Sequence, residues 1–251
     1  MSPLVHVNEK IQDKPYAVQE ISYEHIPKQY VVQPSEAKLV RLDLQLPKKK
    51  IGYIMGAGDL VQQNLIAIGL PISSIDIESI SLGELNKFDT ILLGIRAFNV
   101  LEALKYKNKL LFDFAAQGGN LIVQYNTSRG LKTKEIAPYP IELSRKRVTD
   151  ENSRVRILEP SHPAMNSPHK ITAADFDGWI QERGLYFADN WDPRFTPLLG
   201  MNDSGEEETV GSLLVAPHGK GTVVFSGLSF FRELPEGVPG AYRLLINLLA
   251  L

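Results

Sequence analysis

The chain has 251 residues, 43% of them hydrophobic and 22% charged, which excludes a disordered tail and supplies apolar material for a full core. Its formal net charge of −2 leaves no surplus of cations to neutralise a phosphate backbone, so nucleic-acid binding is excluded as its main role. There is no cysteine, which removes disulfides, thiolate metal sites and a cysteine nucleophile together.

In chain order, residues 1–10 carry no apolar region of signal-peptide length, and no later stretch approaches the ~18 apolar residues of a membrane span. The chain therefore reads as soluble, with no address of its own and no membrane span. Export to the periplasm remains open if it belongs to a larger secreted protein. Residues 1–47 hold short β-favouring runs broken by Pro15, Pro27, Pro34 and Pro47. From Leu39 to Leu46, Val40, Leu42, Leu44 and Leu46 alternate with Arg41, Asp43 and Gln45, which predicts a strand. This segment is an extended, β-rich lead-in or linker. It either packs on the main domain or ends a β domain lying upstream.

Residues 48–251 have the texture of one α/β domain. Ile51-Gly-Tyr-Ile-Met55 is a buried strand, Gly56-Ala-Gly-Asp59 a glycine turn, and Leu60 to Ile68 a helix stopped by Gly69. Residues 71–77, 88–95 and 120–126 supply three further strands. A helix is predicted over 100–117, closed by Gly118-Gly119. Residues 130–200 are irregular. Strands near 211–216 and 222–228 around the Gly219-Lys220-Gly221 turn predict an antiparallel hairpin, and 241–249 a last apolar helix. The alternation predicts a three-layer, flavodoxin-like, doubly wound, mostly parallel sheet with a C-terminal antiparallel hairpin.

Ligands of such sheets bind beyond the carboxyl ends of the strands. Gly56-Ala-Gly-Asp59 could turn amides toward an anion, but it falls short of a full dinucleotide fingerprint, and Asp59 is more simply a helix cap. Arg96 and Asn99 follow the third predicted strand, where an arginine needs an ionic partner or a wet cleft. Tyr125, Asn126 and Arg129 follow the fourth, where a nucleophile elbow would stand. With Tyr125-Asn126 at its tip, no hydroxyl or thiol is in place for covalent catalysis. The five histidines have no metal-ligand spacing, so no metal and no cofactor is expected. His162, in Ser161-His-Pro163, is the candidate for a cleft rim. Glu182 and Arg183 beside Trp179, and Arg232 and Glu233 after Phe230-Phe231, are charged pairs next to aromatics. Sugar sites use that combination, and interdomain contacts use it too.

Several of these motifs together resemble a known family. Lys50-Ile-Gly-Tyr-Ile-Met-Gly-Ala-Gly-Asp59, Gly94-Ile-Arg-Ala-Phe-Asn99, Gly119-Asn-Leu-Ile-Val-Gln-Tyr-Asn-Thr-Ser-Arg-Gly130, Gly178-Trp-Ile-Gln-Glu-Arg-Gly-Leu-Tyr-Phe187 and Gly227-Leu-Ser-Phe-Phe-Arg-Glu-Leu-Pro235 are similar to the C-terminal region of large bacterial PIG-L (LmbE-like) deacetylases. Tyr23-Glu-His-Ile-Pro27 and Ala37-Lys-Leu-Val-Arg-Leu-Asp43 extend the likeness into the lead-in. Through Ser161-His-Pro163 and Gly219-Lys-Gly-Thr-Val-Val-Phe225 that region resembles the class I glutamine amidotransferase-like fold, in its trehalose-utilisation (ThuA-like) branch.

The zinc motif of the deacetylases and the cysteine nucleophile of the amidotransferases are both missing, so no catalytic residue carries over. The resemblance implies a non-catalytic accessory domain that binds carbohydrate or packs on an upstream deacetylase domain. A hydrolase-like enzyme with an atypical polar site at the strand ends is the alternative, and a purely structural module the third reading. Arg96, Asn99, Tyr125, Asn126, Arg129, His162, Glu182, Arg183 and Arg232 are the candidate ligand-binding residues.

Overall fold

The structure, a computed structural model, describes residues 5–7, 10–12 and 15–251. The remaining stretches of the expected lead-in, and the side chain of His6, lie outside the described residues. The chain divides into two compact units, one ending at Leu42 and the other spanning Asp43–Leu251.

Among its described residues the first unit holds two antiparallel pairs, β1 (Val5–Val7) with β2 (Lys10–Gln12) and β3 (Tyr16–Tyr23) with β4 (Ile26–Pro34). Val18 pairs with Val32 and Glu20 with Tyr30, and Pro27 and Pro34 fall within β4, which has a neighbour on one side only in this two-stranded sheet. The strand expected over 39–46 does not form: residues 35–50 have no regular structure. Alternation gives a strand a buried face but not a neighbouring strand to pair with: the Gln45 amide donates to a side chain instead, His169 Nε2 at 3.2 Å.

The second unit begins with β5 (Ile51–Ile54), α1 (Val61–Ala67), β6 (Ile72–Ser74), α2 (Leu82–Leu85), β7 (Thr90–Leu93), α3 (Ala97–Val100), α4 (Leu104–Ala116) and β8 (Asn120–Val123). After it come β9 (Ile141–Leu143), β10 (Arg156–Ile157), β11 (Ala188–Trp191), β12 (Thr196–Pro197) and β13 (Leu199–Gly200). The chain closes with β14 (Leu213–His218), β15 (Gly221–Ser226), α5 (Phe230–Glu233) and α6 (Pro239–Ala250).

The main sheet has seven strands in the order β12-β14-β15-β8-β7-β5-β6. Its parallel part, read along the sheet as β6-β5-β7-β8-β15, has the sequence order second, first, third, fourth, fifth. The fold is thus a mixed α/β one with a large, mostly parallel sheet and small antiparallel pairs. The C-terminal hairpin forms where expected but is not an appendage, because β15 is itself the fifth parallel strand, paired with β8. The two-residue loop joining β14 to β15 needs Gly219, whose φ is +59° and whose missing Cβ lets the turn lie against the Ala116 carbonyl.

Strand alternation distributes the two faces. Leu121 and Val123 of β8 join Leu111, Phe114 and Ala115 of α4 in one core cluster. Asn120 and Thr90, at the first residues of β8 and β7, turn to the other face and reach α6. There Asn120 Nδ2 donates to the Leu248 carbonyl at 2.7 Å and Thr90 Oγ1 to the Leu249 carbonyl at 3.0 Å. Two carbonyls at the end of α6 that lack helical partners are satisfied in this way, and the helix end is fixed over the N-terminal edge of the sheet. α6 is apolar on nearly every side and is buried accordingly.

The helix expected over 100–117 begins only at Leu104. Arg96 opens the separate turn α3 directly after β7, Leu101 ends it in an extended conformation, and the long helix restarts beyond it. Among the described residues no helix is long and apolar enough to cross a membrane.

Candidate functional site

The loops leaving β5 and β7 are built against each other. Ala57 N donates to the Ile95 carbonyl at 2.8 Å, and a Cβ at Gly56 would overlap that same carbonyl. Asp59 accepts from Tyr53 Oη at 2.6 Å, from Val61 N at 2.9 Å and from Ile95 N at 3.1 Å. The glycine turn therefore closes the sheet edge, and Asp59 serves the start of α1 as expected, although Leu60 holds the cap position.

This packing fixes the turn from β7 into α3, where Arg96 sits at the tip with φ 55° and ψ 22°. A strand that enters a helix through a residue in the left-handed region has the geometry of a nucleophile elbow. Sequence reasoning placed that elbow after β8, at Tyr125-Asn126. The structure corrects it: residues 124–126, just past β8, have no regular structure and no positive φ, and no helix follows directly, whereas the strained turn lies one strand earlier. The cue was hidden because the tip carries an arginine in place of serine or cysteine.

Arg96 N donates to the Tyr125 carbonyl at 2.7 Å, which joins the elbow to the end of β8. The Tyr125 ring stacks on Phe231, 5.6 Å between centroids at 14°, and tilts against Tyr186 at 5.8 Å. The Arg232 guanidinium carbon lies 4.9 Å from the centroid of the Phe231 ring. Arg232 Nε donates to Glu182 Oε1 at 2.8 Å. Tyr186, Tyr125, Phe231 and Arg232 thus form a continuous, half-buried row along the carboxyl ends of the parallel strands, with Glu182 holding one end. Burial pushes the Tyr125 hydroxyl up from its ordinary pKa, while the Arg96 and Arg232 charges pull it back. Arg96 is exposed and has no ion pair among the described residues.

Behind the row sits Glu233, with no exposed surface. It accepts from Ile180 N at 3.0 Å and from Ser229 Oγ at 3.2 Å. Burial pushes its carboxyl up to about 7 against these hydrogen bonds and the nearby Arg183 charge, with Glu182 adding to the rise. Among the described residues three non-glycine positions have positive φ: Arg96, Gln181 (63°) and Tyr186 (51°). All three belong to this site or adjoin it. Backbone strain gathers at one edge of the molecule.

The other candidates take other places. Asn126 is fully buried: its Oδ1 accepts from Phe98 N at 2.9 Å and its Nδ2 donates to the Gln124 carbonyl at 2.8 Å. Asn99 accepts from Thr127 N at 2.9 Å and donates to the Thr127 and Arg129 carbonyls. Both asparagines tie the β7 loop to the β8 loop. Arg183 is buried under the site, donating to the Ser153 and Phe176 carbonyls, and burial lowers its pKa. Arg129 is exposed beyond the Asn99 clamp.

His162 does not join the group. Its Nδ1 accepts from Ala164 N at 3.1 Å, and Ala164 and His169 are held by Asn247 near the end of α6, at the N-terminal edge of the sheet. The strand-end site therefore assembles Arg96, Tyr125, Glu182 and Arg232 from the sequence candidates. It adds Tyr186, Phe231 and Glu233. Tyr186 lies within one of the motifs, but no period or spacing tells that its ring turns toward Tyr125.

A cavity of 930 Å³ lies elsewhere, between α4 and the segment 128–143. Phe112, Leu131, Pro138 and Ile141 line it, and its charged groups Lys109, Lys134, Glu135 and Glu142 are exposed at the rim. Among the described residues no group of three His, Asp or Glu side chains is placed to share a metal.

No protein-family model matches the chain, and no curated protein matches it. Solved structures of other proteins share its fold, among them two with TM-scores above 0.5. A cytoplasmic protein of Salmonella typhimurium is 15% identical with a TM-score of 0.52, covering 94% of both chains. A protein described as a GMP synthase subunit, from Thermoplasma acidophilum, is 12% identical with a TM-score of 0.51, covering 80% of this chain and 94% of its own. At these identities the likeness is one of fold.

Proposed function

We propose that this chain is a non-catalytic domain of the class I glutamine amidotransferase-like fold, ThuA-like branch, that binds carbohydrate at the carboxyl ends of its parallel strands. We place it as the accessory domain of a PIG-L (LmbE-like) sugar deacetylase. The carrying observation is the elbow itself: the strained tip that would present a nucleophile presents Arg96 instead. The flavodoxin-like strand order and the fold shared with the Thermoplasma protein support the amidotransferase-like assignment. The row of aromatic rings flanked by two guanidinium groups and a carboxylate supports a sugar, whose apolar ring face stacks and whose hydroxyls hydrogen-bond. The motifs shared with the deacetylases support the place beside one.

The test is binding of the whole chain to an oligosaccharide array, repeated with Phe231→Ala. Binding that weakens at least tenfold in the variant supports the reading. Equal binding by the variant, or hydrolysis of N-acetyl sugars by the purified chain, overturns it. The cavity between α4 and residues 128–143, with Phe112, Leu131, Pro138 and Ile141 in its lining, favours a second reading, in which the domain packs on a partner domain through that face. In that case Leu131→Asp, and not Phe231→Ala, abolishes function.

A further inference from the structure

We propose that the sugar taken by the strand-end site carries a carboxylate: a uronic-acid residue, with the Arg96 guanidinium as the fork that receives it. The proposal rests on the carbohydrate reading and adds the ligand's charge.

Charge balance is the first argument. Arg232 is already answered, because its Nε donates to Glu182 Oε1 at 2.8 Å and the Glu182 side chain is only 9% exposed. The Asp59 oxygens below the elbow are taken up by Tyr53, Val61 and Ile95. Glu233 is buried and shared between the Ile180 amide and Ser229, and burial raises its pKa to about 7. Arg96 is left as a positive charge with no ion-pair partner among the described residues, exposed beside Tyr125.

Conformation is the second argument and is independent of the first. Arg96 stands at φ 55°, where an arginine is strained and a glycine is not. Its backbone is held there from both sides: its amide donates to the Tyr125 carbonyl at 2.7 Å, and its carbonyl accepts from Asn99 N at 2.9 Å. Among the described residues no hydrogen bond of the guanidinium offsets the strain. A side chain kept at such a position without an internal partner is placed for an external one.

The third argument is shape. A guanidinium offers two parallel N–H donors that match the two oxygens of a carboxylate, a match that a lone hydroxyl or an N-acetyl group does not make. In a uronic acid that carboxylate projects from the edge of a ring whose face can lie on the Tyr125–Phe231–Tyr186 row.

The experiment uses the whole chain and trisaccharides of galacturonate, glucuronate and mannuronate, each as the free acid and as its methyl ester. Neutral galactotriose and a sulfated galactotriose complete the set, and affinities are read by calorimetry at two salt concentrations. We expect at least one free acid to bind at least tenfold more tightly than its own ester. Arg96→Gly and Arg96→Gln should erase that preference, and Arg96→Gly suits the local backbone, so loss of folding does not explain the result. If ester and acid bind equally, the carboxylate proposal falls while the carbohydrate reading stands. If the sulfated sugar binds as tightly as the best acid, the carboxylate is not what Arg96 selects and the proposal falls. If no sugar binds, the carbohydrate reading falls and this proposal with it.

Discussion

The Arg96 amide and the Tyr125 carbonyl, 2.7 Å apart, join the residue that leaves β7 in the left-handed region to a residue just past the end of β8. Through this bond a backbone strained by its own side chain is locked to the residue whose ring stands in the middle of the aromatic row. The strain has a measurable consequence. Non-glycine residues in this region cost about 1–2 kcal/mol, and a glycine costs back roughly 0.5–1 kcal/mol in chain entropy. Arg96→Gly is therefore expected to leave stability unchanged or to raise it by up to about 1 kcal/mol, a few degrees in melting temperature. Arg96→Ala keeps the strain and should show no gain. A clear fall in the melting temperature of Arg96→Gly would mean that the guanidinium supports the fold.

Asn126 shows the opposite balance. It satisfies the Phe98 amide and the Gln124 carbonyl in a place without water. Asn126→Ala strands both groups and should cost about 2–3 kcal/mol, within the range for buried polar groups that lose a partner. Urea unfolding measures the loss. Affinity for any sugar, corrected for the folded fraction, should stay as it was, because the amide faces the protein and not the cleft.

These two residues mark what can be read in the sequence and what cannot. The apolar runs at 51–54, 90–93 and 120–123 are strands because both their faces are buried, and such runs announce themselves without alternation. The alternating run at 39–46 looks more like a strand than any of them and is none, because pairing is a property of the neighbour. Arg96 stands out by its position after a buried strand, but its left-handed backbone does not, since no serine, cysteine or glycine is there to signal a sharp turn. The same positional reasoning makes Asn99, Asn126 and Arg183 look like cleft residues. Each instead spends its polar atoms on loop carbonyls and amides that only the folded chain brings near. The proline turn at His162 suggests a cleft rim, and the residue proves to lie at the other end of the sheet. Phe231 and Tyr186 meet across Tyr125 from segments 45 residues apart, a distance over which no periodicity speaks.

The Arg232–Glu182 pair joins α5 to the segment that carries Tyr186. Glu182 is nearly enclosed while Arg232 keeps about a third of its side-chain surface exposed, so solvent weakens the pair relative to a fully buried one. Arg232→Ala should cost more than Glu182→Gln, because it leaves a buried carboxylate without its partner. A double-mutant cycle should give a coupling of about 1 kcal/mol that shrinks only slightly in high salt. Zero coupling would show that the contact is incidental and that α5 holds its place by packing alone.

Glu233 makes the stability of the fold depend on pH in a direction that can be stated in advance. Burial holds its carboxyl at about 7 in the folded protein, whereas a glutamic acid in an unfolded chain titrates near 4.3. Between those values the folded chain keeps a proton that the unfolded chain releases, so the folded state binds more protons and stability falls as pH rises. The contribution is whole below about pH 4.3 and is lost as pH rises through about 7. A gap of two to three pH units corresponds to roughly 3 kcal/mol. Glu233→Gln keeps an acceptor for the Ile180 amide and a donor for Ser229, but it cannot ionise. The stability of the wild-type chain minus that of Glu233→Gln should therefore decline by about 2–3 kcal/mol between about pH 5 and about pH 8, read from urea unfolding at each pH. Parallel curves for the two proteins across that window would show that Glu233 is ionised in the fold and that Arg183 or solvent carries its charge.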